Sequence, residues 1–185
     1  MPWAQQNNFR YKTMAYQQSC FPCSLHMVLR NLGRYRETNE IEDNWNQLQT
    51  GDNRPNLNEA APNEDDIHRN VAQTPLQGAG SRIITPAMLG PDLDQQAFNQ
   101  EAQNFFNDFA GMIIGVGHAT VVYKKADNRY VYVRPAPDID NTQIEEDNQV
   151  QLDVIQGVDG SFALRIRGVN NVNFEVVGNF IMLLR

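Results

Sequence analysis

Cysteine is nearly absent from the chain: 185 residues carry two, Cys20 and Cys23, too few for a disulfide framework. Histidine is as sparse, with His26, His68 and His118 the whole supply of imidazole. No apolar run approaches the roughly 18 residues that a transmembrane helix needs, so no membrane role is expected. The first residues, MPWAQQNNFRYK, lack the apolar core of a signal peptide. The expectation is a protein of the cytoplasm, or one exported without a cleaved signal. Basic residues form no run longer than Lys124-Lys125. With 15 Lys and Arg against 22 Asp and Glu, the net charge is −7, which argues against nucleic acid as the partner.

What is present is a globular composition, 41% hydrophobic, in a chain of the length of one domain. Pro22 suits the first turn of a helix that runs to Leu32. Leu25, Val28, Leu29 and Leu32 form its apolar stripe, and Gly33 ends it. Thr38 to Gln49 reads as a second helix, Asn63 to Gln73 as a short acidic one, and Asp92 to Phe109 as a long one. SRIIT (81–85) is a short strand. After Ala110 the pattern changes to strands. GMIIGVGHATVVYKK reads as one strand, or two broken at Gly115-Val116-Gly117, and RYVYVRP returns after a turn at Ala126-Asp127-Asn128. VQLDVIQG, SFALRIRG, VNFEVVGN and FIMLLR are further strands, and the acidic stretch Asp138–Gln149 reads as a loop. Helices first and antiparallel strands second give an α+β fold, one domain over 1–185 with a helical half to about 110 and a strand-rich half from about 111.

The chemistry concentrates in CFPCSLHMVLRNLG, Cys20 to Gly33, for which three readings compete. Cys-x-Pro-Cys suits a thioredoxin-type redox pair, but that pattern needs an apolar strand running into the first cysteine, and YKTMAYQQS is not one. Zinc would need a fourth ligand beyond Cys20, Cys23 and His26, at a spacing that closed sites do not use. The third reading is a nucleophile. A cysteine at a helix N-terminus meets unpaired N–H groups and the positive end of the dipole, and both favour thiolate. That describes Cys20, while Cys23, one turn further in, reads as a packed small residue. Of the candidate bases, His26 lies on the far side of the same helix and His68 on a surface helix. His118, opening an apolar strand after Gly-Val-Gly, is the favoured partner.

These residues carry a resemblance. CFPCSLHMVLRNLG resembles the C-G-P-x-S-L-x-M-V-L-R-x-L-G segment around the nucleophile of papain-like cysteine peptidases. The likeness is to the branch with the leader-cleaving peptidases of bacteriocin exporters, and to the effectors of plant-pathogenic bacteria. GMIIGVGHATVVYKKADNRYVYVRP is similar to the histidine segment of the same families. The resemblance covers about 40 residues, in the expected order. It implies a papain-like fold, N-terminal helices packed on a C-terminal antiparallel sheet. It implies Cys20 as nucleophile and His118 as base, without a cofactor or metal. It implies an oxyanion held by the Cys20 amide and an upstream glutamine. The family's glutamine lies five or six residues before the cysteine, where this chain has Met14 and Ala15, so Gln17 and Gln18 are the candidates. Arg134 stands where the family has the Asp or Asn that orients the histidine, and a guanidinium accepts no hydrogen bond. Asp138 is the first substitute, Asp140 the second and a backbone carbonyl the third.

Two function classes follow. One is a cysteine hydrolase cleaving a peptide or amide bond of a protein or peptide substrate: a protease, a glutamine deamidase or a peptidoglycan amidase, in the manner of a bacterial effector or toxin. The other is a binding module that keeps the papain-like fold and has lost efficient chemistry, which Arg134 favours.

Overall fold

The computed structural model describes residues 3–6, 9–12, 20–36, 82–84, 110–115, 118–156, 158–160, 162–178 and 180–184. The helices expected over 38–49, 63–73 and 92–109 lie outside the described residues, as do Gln17, Gln18 and His68. An N-terminal hairpin pairs β1 (Trp3–Gln6) with β2 (Phe9–Lys12). One helix follows, α1 (Cys20–Asn31), and then β3 (Arg82–Ile84). The remaining strands are β4 (Ala110–Gly115), β5 (His118–Lys124), β6 (Tyr130–Arg134), β7 (Gln143–Asp147), β8 (Val150–Gln156), β9 (Phe162–Gly168), β10 (Glu175–Gly178) and β11 (Phe180–Leu184).

A six-stranded antiparallel sheet has the order β3-β11-β4-β5-β6-β7, and a three-stranded one the order β10-β9-β8. Strands β5 and β6 are buried along most of their length, because the large sheet is covered on both faces. Val122, Tyr130 and Tyr132 join Ile181 and Leu183 against Val150, Leu152, Leu164, Ile166, Phe174 and Val176 of the small sheet and its turn. The alternate residues Val121, Val131 and Val133 are fully buried on the other side, as period-two alternation requires. Helix α1 packs on β4 and β5. Its Phe21, Leu25, Met27, Val28 and Leu29 are 0% exposed, each worth about 1.5–3 kcal/mol of transfer free energy.

The local signals explain the ends of these elements. Gly33 adopts φ +77°, and the Arg34 N–H reaches back to the Leu29 carbonyl at 2.9 Å, closing α1 as glycine at C′ allows. The β5–β6 turn places Asn128 at φ 65° and closes with the Lys125 N–H on the Arg129 carbonyl at 2.8 Å.

One expectation is corrected here. Residues 143–147, read as part of an acidic loop, form β7, paired with β6 from Tyr130↔Asp147 to Arg134↔Gln143. Cross-strand cations make the strand possible: Glu146 takes Arg129 at 3.0 Å and Lys125 at 3.5 Å. Among the described residues, no helix is long and apolar enough to cross a membrane.

Candidate active site

Helix α1 begins at Cys20, so the thiol sits at the positive end of the helix dipole. Cys20 is half-buried and Cys23 buried, and neither forms a disulfide. The Ala119 N–H donates to the Cys20 Sγ at 3.3 Å. One turn along the helix, Ser24 Oγ donates to the Ala119 carbonyl at 3.2 Å, in a buried position. The ladder between β5 and β6 runs only from Val121 to Lys124. Ala119 lies beyond it, and both of its main-chain groups are satisfied by the helix instead. At the other end of α1, the Tyr123 hydroxyl donates to the Asn31 carbonyl at 3.3 Å. The helix is thereby pinned along β5 at both ends. His118 is the residue immediately before Ala119 and the first of β5. Cys20 Sγ therefore lies against the main chain next to His118, 98 positions further along the sequence.

The surroundings of His118 hold its imidazole below the ordinary pKa of 6.5. Burial contributes most, since a charged ring loses hydration; the Arg134 guanidinium adds repulsion; the Pro135 carbonyl, accepting from the ring, opposes both. His118 Nε2 is buried and meets no hydrogen-bond partner among the described residues. A pKa held below 6.5 leaves the ring uncharged at neutral pH.

Asp138 is engaged within its own turn. Its carboxylate accepts from the Asn141 N–H at 2.8 Å and the Asn141 Nδ2 at 2.9 Å, while its own carbonyl accepts from Thr142 Oγ1 at 2.7 Å. The Asn141 side chain and main chain hold the exposed carboxyl below the usual range. An acid that opens a turn closes it through the residue three positions on as readily as it reaches elsewhere. Asp140 is exposed in the same loop. The groups acting on His118 are the Pro135 carbonyl and Arg134. His26 is buried within α1, 7% exposed.

Two contributors were not found from the sequence. Ser24 stands four residues after Cys20, hence on the same helix face, and that spacing was available as a signal. The Pro135 carbonyl leaves no signature, since every residue has one. Among the described residues, no group of three His, Cys, Asp or Glu side chains is arranged to hold a metal ion.

No family model matches the chain, and neither a curated protein nor a solved structure matches it.

Proposed function

We propose that the chain is a papain-like cysteine hydrolase that cleaves a peptide or amide bond by acyl-enzyme chemistry. The observation that carries the reading is the 3.3 Å bond from the Ala119 N–H to Cys20 Sγ, which sets a helix-N-terminal thiol beside the residue that follows His118. Cys20 Sγ attacks the carbonyl carbon of the substrate, and the thiol proton passes to His118. The C–N bond breaks, and the leaving amine, or ammonia in a deamidation, takes that proton. Water then attacks the thioester, His118 removes its proton, and the acid leaves as the thiol re-forms. The developing oxyanion would face the Cys20 amide, with Gln17 or Gln18 as the implied second donor. A protein or peptide substrate and the role of a bacterial effector or toxin come with this reading.

The test is alkylation followed at each cysteine by peptide mass spectrometry. Cys20 should react with iodoacetamide well below the ordinary thiol pKa of about 8.5, and His118→Ala should slow it at least about tenfold. A Cys20 that reacts no faster than a free thiol at every pH would exclude the hydrolase. The binding-module reading would then stand, and one observation already favours it: Arg134, not an acceptor, is the side chain acting on His118.

A further inference from the structure

The strand-rich half satisfies its cations internally. Lys125 reaches Asp127 at 3.7 Å and Glu146 at 3.5 Å, and Arg129 reaches Glu146 at 3.0 Å. Arg165 and Arg167 share Asp153 at 2.9 and 3.3 Å. Arg134, exposed at the last position of β6, is in ion-pair contact with no carboxylate among the described residues, in a chain whose net charge is −7. Two acids of the neighbouring loop and strand are engaged elsewhere. Asp138 is bound to Asn141. Glu145, opposite Tyr132 on β7, accepts from Asn171 Nδ2 at 2.7 Å. Yet Arg134 follows Val133, whose ladder partner is Val121, so it stands beside Thr120 and on the same sheet face as His118 two residues away, where its charge acts on the imidazole. A planar guanidinium offers paired donors that match a carboxylate, and this one is open to solvent beside the base of the site.

We propose that Arg134 is a specificity residue: it receives a carboxylate on the leaving-group side of the scissile bond, so that the substrate is an acidic peptide. The leaving-group side follows from the chemistry, because the imidazole that returns the proton stands next to the departing amine. A cation beside that imidazole therefore reaches groups attached to it. The proposal rests on the hydrolase reading, and it accounts for a cation where an acceptor would otherwise be expected.

Two alkylating agents of nearly equal size test it. Iodoacetate carries a carboxylate and iodoacetamide does not; each forms an S–C bond at Cys20, iodide leaves with the bonding pair, and the thiol proton goes to His118 or solvent. The ratio of the two rate constants at Cys20 is measured for the native chain, Arg134→Gln and Arg134→Lys, at low ionic strength. The ratio should fall about threefold or more in Arg134→Gln, the size of one exposed charge pair, and Arg134→Lys should restore most of it. Removing Arg134 also lets His118 hold its proton more readily, which acts in the opposite direction, so a fall in the ratio reports the positive charge at position 134. A ratio that is unchanged or higher in Arg134→Gln overturns the proposal while leaving the hydrolase intact. If neither reagent singles out Cys20 in the native chain, the hydrolase falls and the substrate class with it.

Discussion

At the residue scale, the two cysteines divide by position. Cys20 opens α1 and is half-buried, whereas Cys23 is 5% exposed. Cys20→Ala should abolish both turnover and rapid alkylation. Cys23→Ala should leave them in place and lower stability on the order of 1 kcal/mol, read from the urea midpoint. The charge on His118 gives a second outcome. Burial first, and Arg134 next, hold its pKa down, so protonation disables the base only at a pH below its ordinary value. Arg134→Gln removes one of those influences and should move the acid limb of the rate profile to higher pH, with the limb fitted from the alkylation rate of Cys20. A limb that stays in place would mean that Arg134 is too well screened to matter. The helix start at Cys20 and the strand start at His118 were legible in the sequence because such starts leave composition signals. Asp138 was chosen because an acid near a proline-bounded strand end looks like a partner for a distant group. Its carboxylate is held instead by Asn141, three residues on, at 2.8 and 2.9 Å. Arg134 was legible only as a misfit.

At the element scale, α1 and β5 are registered by side chains meeting a main chain. Ser24→Ala would leave the buried Ala119 carbonyl without its donor, at a cost of about 1–3 kcal/mol. It should also loosen the N-terminal turn against β5, so Cys20 alkylation should slow while the far-ultraviolet circular dichroism stays unchanged. An unaltered rate would show that Cys20 alone sets the register. The pattern of apolar residues made β5, β6, β8 and β9 readable, since each buries alternating or continuous valine, leucine and isoleucine. Strand β7 gave no such pattern. QIEED has one apolar side chain, and it is a strand because β6 offers its edge and Arg129 and Lys125 neutralise Glu146. A run of acids also suits the outermost strand of a sheet, where it discourages further pairing.

At the scale of the whole molecule, a buried carboxylate of β7 helps fasten the small sheet to the large one. Asp147, the last residue of β7, is 3% exposed and accepts from the Gln149 N–H at 2.9 Å, the Asn170 N–H at 2.8 Å, the Asn171 N–H at 2.7 Å and Asn170 Nδ2 at 3.0 Å. Burial alone would raise its pKa, but these donors outweigh burial and hold it below the model-peptide value of 3.8. Its contribution to stability is therefore complete above that value and is lost as pH falls through the lower, folded one. Asp147→Asn should cost at least about 2 kcal/mol at pH 7, with a smaller further loss on acidification, both read from urea midpoints across pH. Gly168→Ala attacks the same fastening by crowding, since a Cβ there would stand 2.5 Å from Asp147 Oδ2 and 2.9 Å from Phe174 Cβ. The separators between β8, β9 and β10 were plain in the sequence. That these strands form their own sheet was not, because membership depends on contacts such as Asp147 with Asn170 that no local pattern encodes. The bond from the Ala119 amide to sulfur has a use beyond architecture. It couples one backbone resonance to one atom, so the proton–nitrogen shift of Ala119 should move whenever that sulfur loses a proton or gains a carbon, giving a spectroscopic readout of the thiol in a chain whose substrate need not be known.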